Sequence, residues 1–251
     1  MQRKPLIAAN WKMHTTLASA RTLARDVAKT WNGAGDREVL LAPPFTVLHE
    51  VASVLSGTDI ILAGQNVCWE EQGAYTAEIS PTMLKDSGAR AAIIGHSERR
   101  QLFGEDDPMI NKRLRGALNY ALLPILCCGE TLAERDSGKT YDILETQIRQ
   151  GLANVTQADI APVVIAYEPV WAIGTGKTAT TEQAQEAHGF LRRLIEKMYE
   201  KKIAEQMRIL YGGSVKPANV DELMHQTDID GALVGGAALD AESFGRIINF
   251  S

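Results

Sequence analysis

The sequence predicts an α/β barrel in which eight parallel strands close on themselves, each followed by an outer helix, in a single (β/α)8 domain over residues 1–251. Three observations lead there. Eight short apolar runs alternate with amphipathic stretches along the chain. The runs are continuously apolar rather than alternating in polarity, as strands buried on both faces should be. The chain has 251 residues, and one such barrel needs roughly 250. A doubly wound open sheet shares this alternation, and periodicity alone does not separate the two.

The runs fall at 5–9 (PLIAA), 38–42 (EVLLA), 59–63 (DIILA), 90–94 (RAAII), 122–127 (LLPILC), 162–167 (PVVIAY), 207–211 (MRILY) and 231–234 (GALV). Between them, helical periodicity is clearest over 16–30, 106–120, 139–153 and 180–201. Shorter helical patterns lie near 45–55, 81–87, 217–224 and 241–249. No linker, low-complexity stretch or charge block divides the chain.

Hydrophobic residues make up 45% and charged residues 23%, as in ordinary soluble globular domains. The net charge of −5 leaves no basic footprint for nucleic acid or an anionic membrane, although a local field could still take an anionic substrate. No apolar run approaches the ~18 residues of a membrane span. The N-terminus lacks the apolar core of a signal peptide. Cys68, Cys127 and Cys128 are odd in number and two are adjacent, which argues against a disulfide framework and for a reducing, cytoplasmic setting. Without CxxC or HExxH, a built-in zinc site is not expected.

A parallel barrel carries its site at the carboxyl ends of its strands. The residues there are Asn10 and Lys12, Gln65 and Asn66, His96 and Glu98, Cys127 to Glu130, Glu168, Tyr211 to Ser214, and Gly235-Gly236. Glu168 ends a strand and is followed by the stiff corner Pro169-Val170-Trp171, then by Gly174 and Gly176. A carboxylate in that place is a candidate general base if the loop closes and dries it; otherwise it is a salt-bridge partner at the rim. Gly176-Lys177-Thr178 is not a phosphate-binding P-loop, because Trp171 stands where the first glycine belongs. Gly174-x-Gly176-x-x-Ala179 fits a relaxed dinucleotide fingerprint, but its strand ends about six residues too early.

His96 could polarise a carbonyl or be a core histidine satisfied by backbone. His14, His49, His188 and His225 are expected at the surface. Lys12 could supply positive charge to a phosphate or a developing oxyanion, with Glu98 as its ion-pair partner, or be a snorkelling rim lysine. The glycine pairs 212–213 and 235–236 could turn backbone N–H groups onto a phosphate, helped by a short helix after Gly236. The long segment 65–80, with Trp69, Tyr75 and Thr76, reads as a partner contact or a surface excursion.

NWKM (10–13), QNV (65–67), IGHSERR (94–100), CCGETLAER (127–135), YEPVWAIGTGKTAT (167–180), YGGSV (211–215) and LVGGAAL (233–239) together resemble the triosephosphate isomerase family, in its order and end to end. The family gives the TIM barrel its name. The resemblance implies cofactor-independent interconversion of dihydroxyacetone phosphate and D-glyceraldehyde 3-phosphate through an enediolate. That places the chain in glycolysis, gluconeogenesis and the pentose shunt, in the cytoplasm. It also implies that Glu168 is the base, that His96 is a neutral electrophile, and that Lys12 and Asn10 stabilise the oxyanion. Asn10, Lys12, Gly174, Ser214, Gly235 and Gly236 would bind substrate. Ile173 and Leu233 would form an apolar clamp over the base, Tyr211 and Ser214 would latch the lid, and Glu98 and Cys127 would support the site. A homodimer would form through the 65–80 loop, with Thr76 and Met13 in contact with the partner. Family members commonly have Gly where this chain has Ala9 and Ala77, Asn where it has His14, and Ser where it has Ala238.

Overall fold

A computed structural model describes residues 3–31, 33, 35–174 and 178–251. Eight strands close into a parallel barrel in sequence order, which decides against the open sheet. They are β1 (Leu6–Asn10), β2 (Glu38–Ala42), β3 (Ile61–Gly64), β4 (Ala91–Ile94), β5 (Leu123–Cys128), β6 (Val164–Tyr167), β7 (Ile209–Tyr211) and β8 (Gly231–Val234). Each overlaps one of the eight apolar runs.

The strands read as continuous apolar runs because both faces are covered. Leu6, Ala8, Ile125, Cys127, Val164, Ala166, Leu210 and Leu233 fill the barrel interior. Their neighbours Ile7, Ala9, Leu126, Cys128, Ile165, Tyr167, Ile209 and Val234 face the helical layer. Fully burying a side chain of Leu or Ile size is worth about 1.5–3 kcal/mol, so every strand is held from both sides.

The helices are α1 (Leu17–Thr30), α2 (Leu48–Leu55), α3 (Pro81–Asp86), α4 (Ser97–Phe103), α5 (Asp107–Asn119), α6 (Leu132–Asp136), α7 (Thr140–Gly151), α8 (Thr181–Met198), α9 (Lys201–Gln206), α10 (Val220–Met224) and α11 (Ala241–Ile248). Their starts follow from local chemistry. Asp106 accepts a hydrogen bond from Met109 N at 2.9 Å and Ser80 accepts one from Met83 N at 3.2 Å. Thr180 and Gln183 form a reciprocal capping box at the start of α8. The expected helix over 180–201 stops at Met198, and α9 is separate from it. α4 and α6 are additions to the sequence expectation.

Side-chain alternation carries the interior face past the strand ends. Two residues beyond Ala8, Ala166, Leu210 and Leu233 come Asn10, Glu168, Gly212 and Gly235, and all four line one cavity at the carboxyl mouth of the barrel.

Candidate active site

That cavity holds about 430 Å3 and is walled by Asn10, Lys12, His96, Glu168, Ile173, Gly174, Ser214, Leu233, Gly235 and Gly236. Ten of the residues expected from sequence thus converge in one place. Gly176 lies outside the described residues, as do Thr175 and Lys177.

Glu168 is 1% exposed. An isolated buried carboxylate is costly, so its partners matter. One oxygen accepts from Ser97 N at 2.9 Å; the other accepts from Ser97 Oγ at 3.3 Å and lies 2.9 Å from His96 Nε2. Burial pushes the carboxyl up, but the His96 contact and the Ser97 N–H outweigh it and hold the group below the ordinary glutamate range. The backbone around it is tight. A Cβ on Gly212 would stand 2.9 Å from Glu168 Cγ, and one on Gly129 would stand 1.7 Å from the Glu168 carbonyl oxygen. Only glycine fits at either place.

His96 precedes the first turn of α4, and its Nδ1 accepts from Glu98 N at 3.3 Å. An Nδ1 that accepts has no proton, so these contacts assign the proton to Nε2, donated to Glu168. Burial depresses the imidazole, but the charge and hydrogen bond of Glu168 lift it above its usual value. The lift lasts only while the carboxylate stays in contact. The helix N–H on Nδ1 opposes protonation throughout.

Lys12 takes a left-handed backbone, with φ of +51°, a conformation that a side chain disfavours. Two neighbours hold it there. Asn10 Oδ1 accepts from Lys12 N at 3.0 Å, and Gln65 Nε2 donates to the Lys12 carbonyl at 2.8 Å and to the Ala42 carbonyl at 2.9 Å. The ammonium pairs with Glu98 at 2.7 Å, as the sequence suggests.

The glycine turns after β7 and β8 face the same cavity. The segment after Gly235 is a short 3-10 turn, Gly236–Leu239, rather than a regular helix. Cys127 is fully buried inside the barrel, where burial and the neighbouring Glu168 raise its thiol well above the ordinary range and keep it protonated. Glu98, Cys127 and Tyr211 stand behind the cavity wall.

One histidine falls elsewhere than expected. His188 is fully buried instead of exposed, because it lies on the inner face of α8. His14 is exposed but also borders the cavity. His49 and His225 are exposed. Trp69 is half-buried, its ring 5.9 Å from Tyr75 with Lys112 5.5 Å above it. Met13 is 95% exposed, and Thr76 is also exposed.

Sequence reasoning gave no role to Gln65 or Glu130. Glu130 is fully buried and accepts from Tyr167 OH at 3.1 Å, from Trp171 Nε1 at 2.9 Å and from Arg135 Nη1 at 3.0 Å. It anchors the corner at the start of the loop that follows Glu168. Its signals in the sequence were its place near a strand end and within CCGETLAER (127–135).

A family model described as triosephosphate isomerase matches residues 5–251. Curated proteins of that name are similar over almost the whole chain. The one from Syntrophotalea carbinolica is 53% identical over 248 residues, covering 99% of this chain and 98% of its own. The one from Geobacter metallireducens is 52% identical over 248 residues, covering 99% of each. The one from Caldanaerobacter subterraneus subsp. tengcongensis is 53% identical over 248 residues, covering 99% of this chain and 100% of its own.

Proposed function

Since the chain belongs to the triosephosphate isomerase family, we propose that Glu168, His96, Lys12 and Asn10 carry out its reaction. The enzyme interconverts dihydroxyacetone phosphate and D-glyceraldehyde 3-phosphate in glycolysis and gluconeogenesis. The observation that carries the assignment is a buried, ionised carboxylate parked on His96 and Ser97 in the wall of a cavity whose far side is glycine-rich.

In this reading Glu168 waits in a place where its bonds keep it ionised. It then moves onto the substrate and gives up Ser97 and His96. Burial remains while the stabilising bonds are lost, so its proton affinity rises as it reaches the carbon acid. The base takes a proton from the carbon beside the carbonyl, and an enediolate forms. It returns the proton to the adjacent carbon. His96 donates from Nε2 to the developing oxyanion as a neutral imidazole; the same role in this enzyme family is a standard example of pKa tuning. Lys12, held in its strained backbone by Asn10 and Gln65, supplies positive charge to the oxyanion and the phosphate. Gly174, Ser214, Gly235 and Gly236 receive the phosphate. Ile173 and Leu233 exclude water over the base, and Tyr211 and Ser214 latch the lid. No cofactor enters this scheme.

A homodimer formed through the 65–80 loop is supported by large apolar side chains left in solvent: Met13, Leu17, Met83, Leu102 and Phe103 are each more than half exposed. Thr76 and Met13 would lie at that contact. The strands from residue 6 to residue 234 that close one barrel support a single domain. A cytoplasmic setting agrees with three buried free thiols.

The test is a coupled assay of glyceraldehyde 3-phosphate turnover in the purified protein and in Glu168→Gln. The variant keeps the cavity and the phosphate contacts but lacks the base. Its kcat should fall roughly a thousandfold, within the range general-base catalysis supplies, while KM stays within about threefold. An unchanged kcat would overturn the assignment.

A further inference from the structure

Asn219 stands directly before α10, in the place where an asparagine commonly caps a helix. Here its side chain makes no cap hydrogen bond. Both ends of the amide turn back instead to the segment that follows β7. Oδ1 accepts from Lys216 N at 2.7 Å, and Nδ2 donates to the Ser214 carbonyl at 3.0 Å. The partners fix which way the amide points, since a main-chain N–H needs an oxygen and a carbonyl needs a donor.

The segment needs such a brace. Residues 212–219 form neither helix nor strand, so their main-chain groups have no ladder to join. Pro217 has no N–H, and it biases Lys216 away from the helical region. A turn closes over this pair, with Asn219 N donating to the Lys216 carbonyl at 3.1 Å. That turn reaches neither the Lys216 N–H nor the Ser214 carbonyl, and the Asn219 side chain supplies both bonds. Upstream, Gly212 N donates to the Tyr167 carbonyl at 2.7 Å. The glycine turn is thus tied to β6 on one side and to Asn219 on the other, with Val215 buried between Ser214 and Lys216. Gly212, Gly213, Ser214 and Lys216 line the cavity, and Asn219 stands behind them.

We infer that Asn219 is a positioning residue for the phosphate end of the substrate: its amide spans the turn from Ser214 to Lys216 and holds the Ser214 main chain where an anion meets it. The inference rests on the reading of Ser214 as a phosphate contact given above. The two bonds act before the ligand arrives, so they cut the ordering that binding would otherwise require. In Asn219→Ala water can satisfy both main-chain groups and the chain still folds. The turn is then free to take other shapes, and the ligand has to order it.

The test separates phosphate binding from chemistry. Inorganic phosphate is the probe, read as a competitive inhibitor of glyceraldehyde 3-phosphate turnover. In Asn219→Ala its inhibition constant should rise about tenfold, the scale of one or two lost neutral hydrogen bonds. KM for glyceraldehyde 3-phosphate should rise in step, while kcat changes by less than about threefold. Glyceraldehyde, the same carbon skeleton without the phosphate, is the second substrate. Its kcat/KM should stay within about twofold of the parent, because it makes no use of the turn. A general structural defect would lower turnover of both substrates alike.

An unchanged inhibition constant for phosphate overturns the inference, and so does an equal loss with glyceraldehyde. If phosphate does not compete in the parent protein, the reading of the phosphate site falls and takes the inference with it. Should Asn219→Ala fail to fold, Asn219→Ser takes its place. A serine hydroxyl can keep the bond to Lys216 N but is too short to reach the Ser214 carbonyl as well. Its inhibition constant for phosphate should rise at least about threefold, as for one lost hydrogen bond, and equality with the parent overturns the inference.

Discussion

At Glu168, burial and hydrogen bonding pull the carboxyl in opposite directions, and the direction of the balance has consequences for pH. Burial favours the protonated acid; the His96 contact and the Ser97 N–H favour the carboxylate and prevail. A carboxyl whose folded pKa is lowered stays ionised well into acid. It lends stability that is present above its unfolded pKa and is lost as pH falls through the folded value. The acid limb of kcat/KM set by this group should therefore lie below the ordinary glutamate value of 4.5. In His96→Gln burial remains while the imidazole is gone, so that limb should move to higher pH. The rate should also drop by about a hundredfold or more, since a proton-transfer partner is lost. A pH–rate profile of both proteins checks this, and a limb moving toward acid in the variant would contradict it.

At the scale of elements, the loop after β3 holds an alanine in a backbone conformation that a side chain disfavours. Ala77 stands where family members commonly have Gly, and its φ is +76°. The left-handed region costs a side-chain-bearing residue about 1–2 kcal/mol, partly offset because glycine loses more chain entropy on folding. Ala77→Gly should thus stabilise by about 0.5–1 kcal/mol and raise the melting midpoint by about 2 °C, measured by calorimetry. A lower midpoint would mean that the Ala methyl makes a contact worth more than the strain. The longer helices were legible in sequence because they have caps and a clear 3.6-residue period, as at Thr180 and Asp106. The short α4, α6 and α9 were not. α4 begins at the site motif itself, where His96 serves both as chemistry and as a cap, and α9 follows α8 after only Tyr199 and Glu200.

At the scale of the molecule, the exposed large apolar side chains lead to a test of assembly. Thr76→Arg would place an unpaired charge in the proposed contact, and burying such a charge costs several kcal/mol. The concentration for half-dissociation should rise at least about a hundredfold, which corresponds to less than 3 kcal/mol. Sedimentation velocity across a dilution series reads this directly. An unchanged dimer would remove Thr76 from the interface, and a parent protein that sediments as a monomer would remove the dimer.

The alternation of strand and helix, the strand ends, and the cluster of polar residues that follows them are all legible along the chain. Those features rest on local patterns, namely apolar runs, caps and glycine pairs, that survive without the third dimension. Tertiary structure alone decided that the sheet closes, since nothing local tells an open sheet from a barrel of the same strands. It also decided where polar groups outside the obvious motifs end up. His188 reads as a surface histidine on an amphipathic helix, but the rotation of α8 on the barrel turns it against Tyr167 and Tyr211. Gln65 supports a strained Lys12 from a strand two places away. Glu168 is held ionised by Ser97, 71 residues earlier in the chain. Contacts of this kind join positions whose spacing has no period, so no pattern along the chain could have announced them.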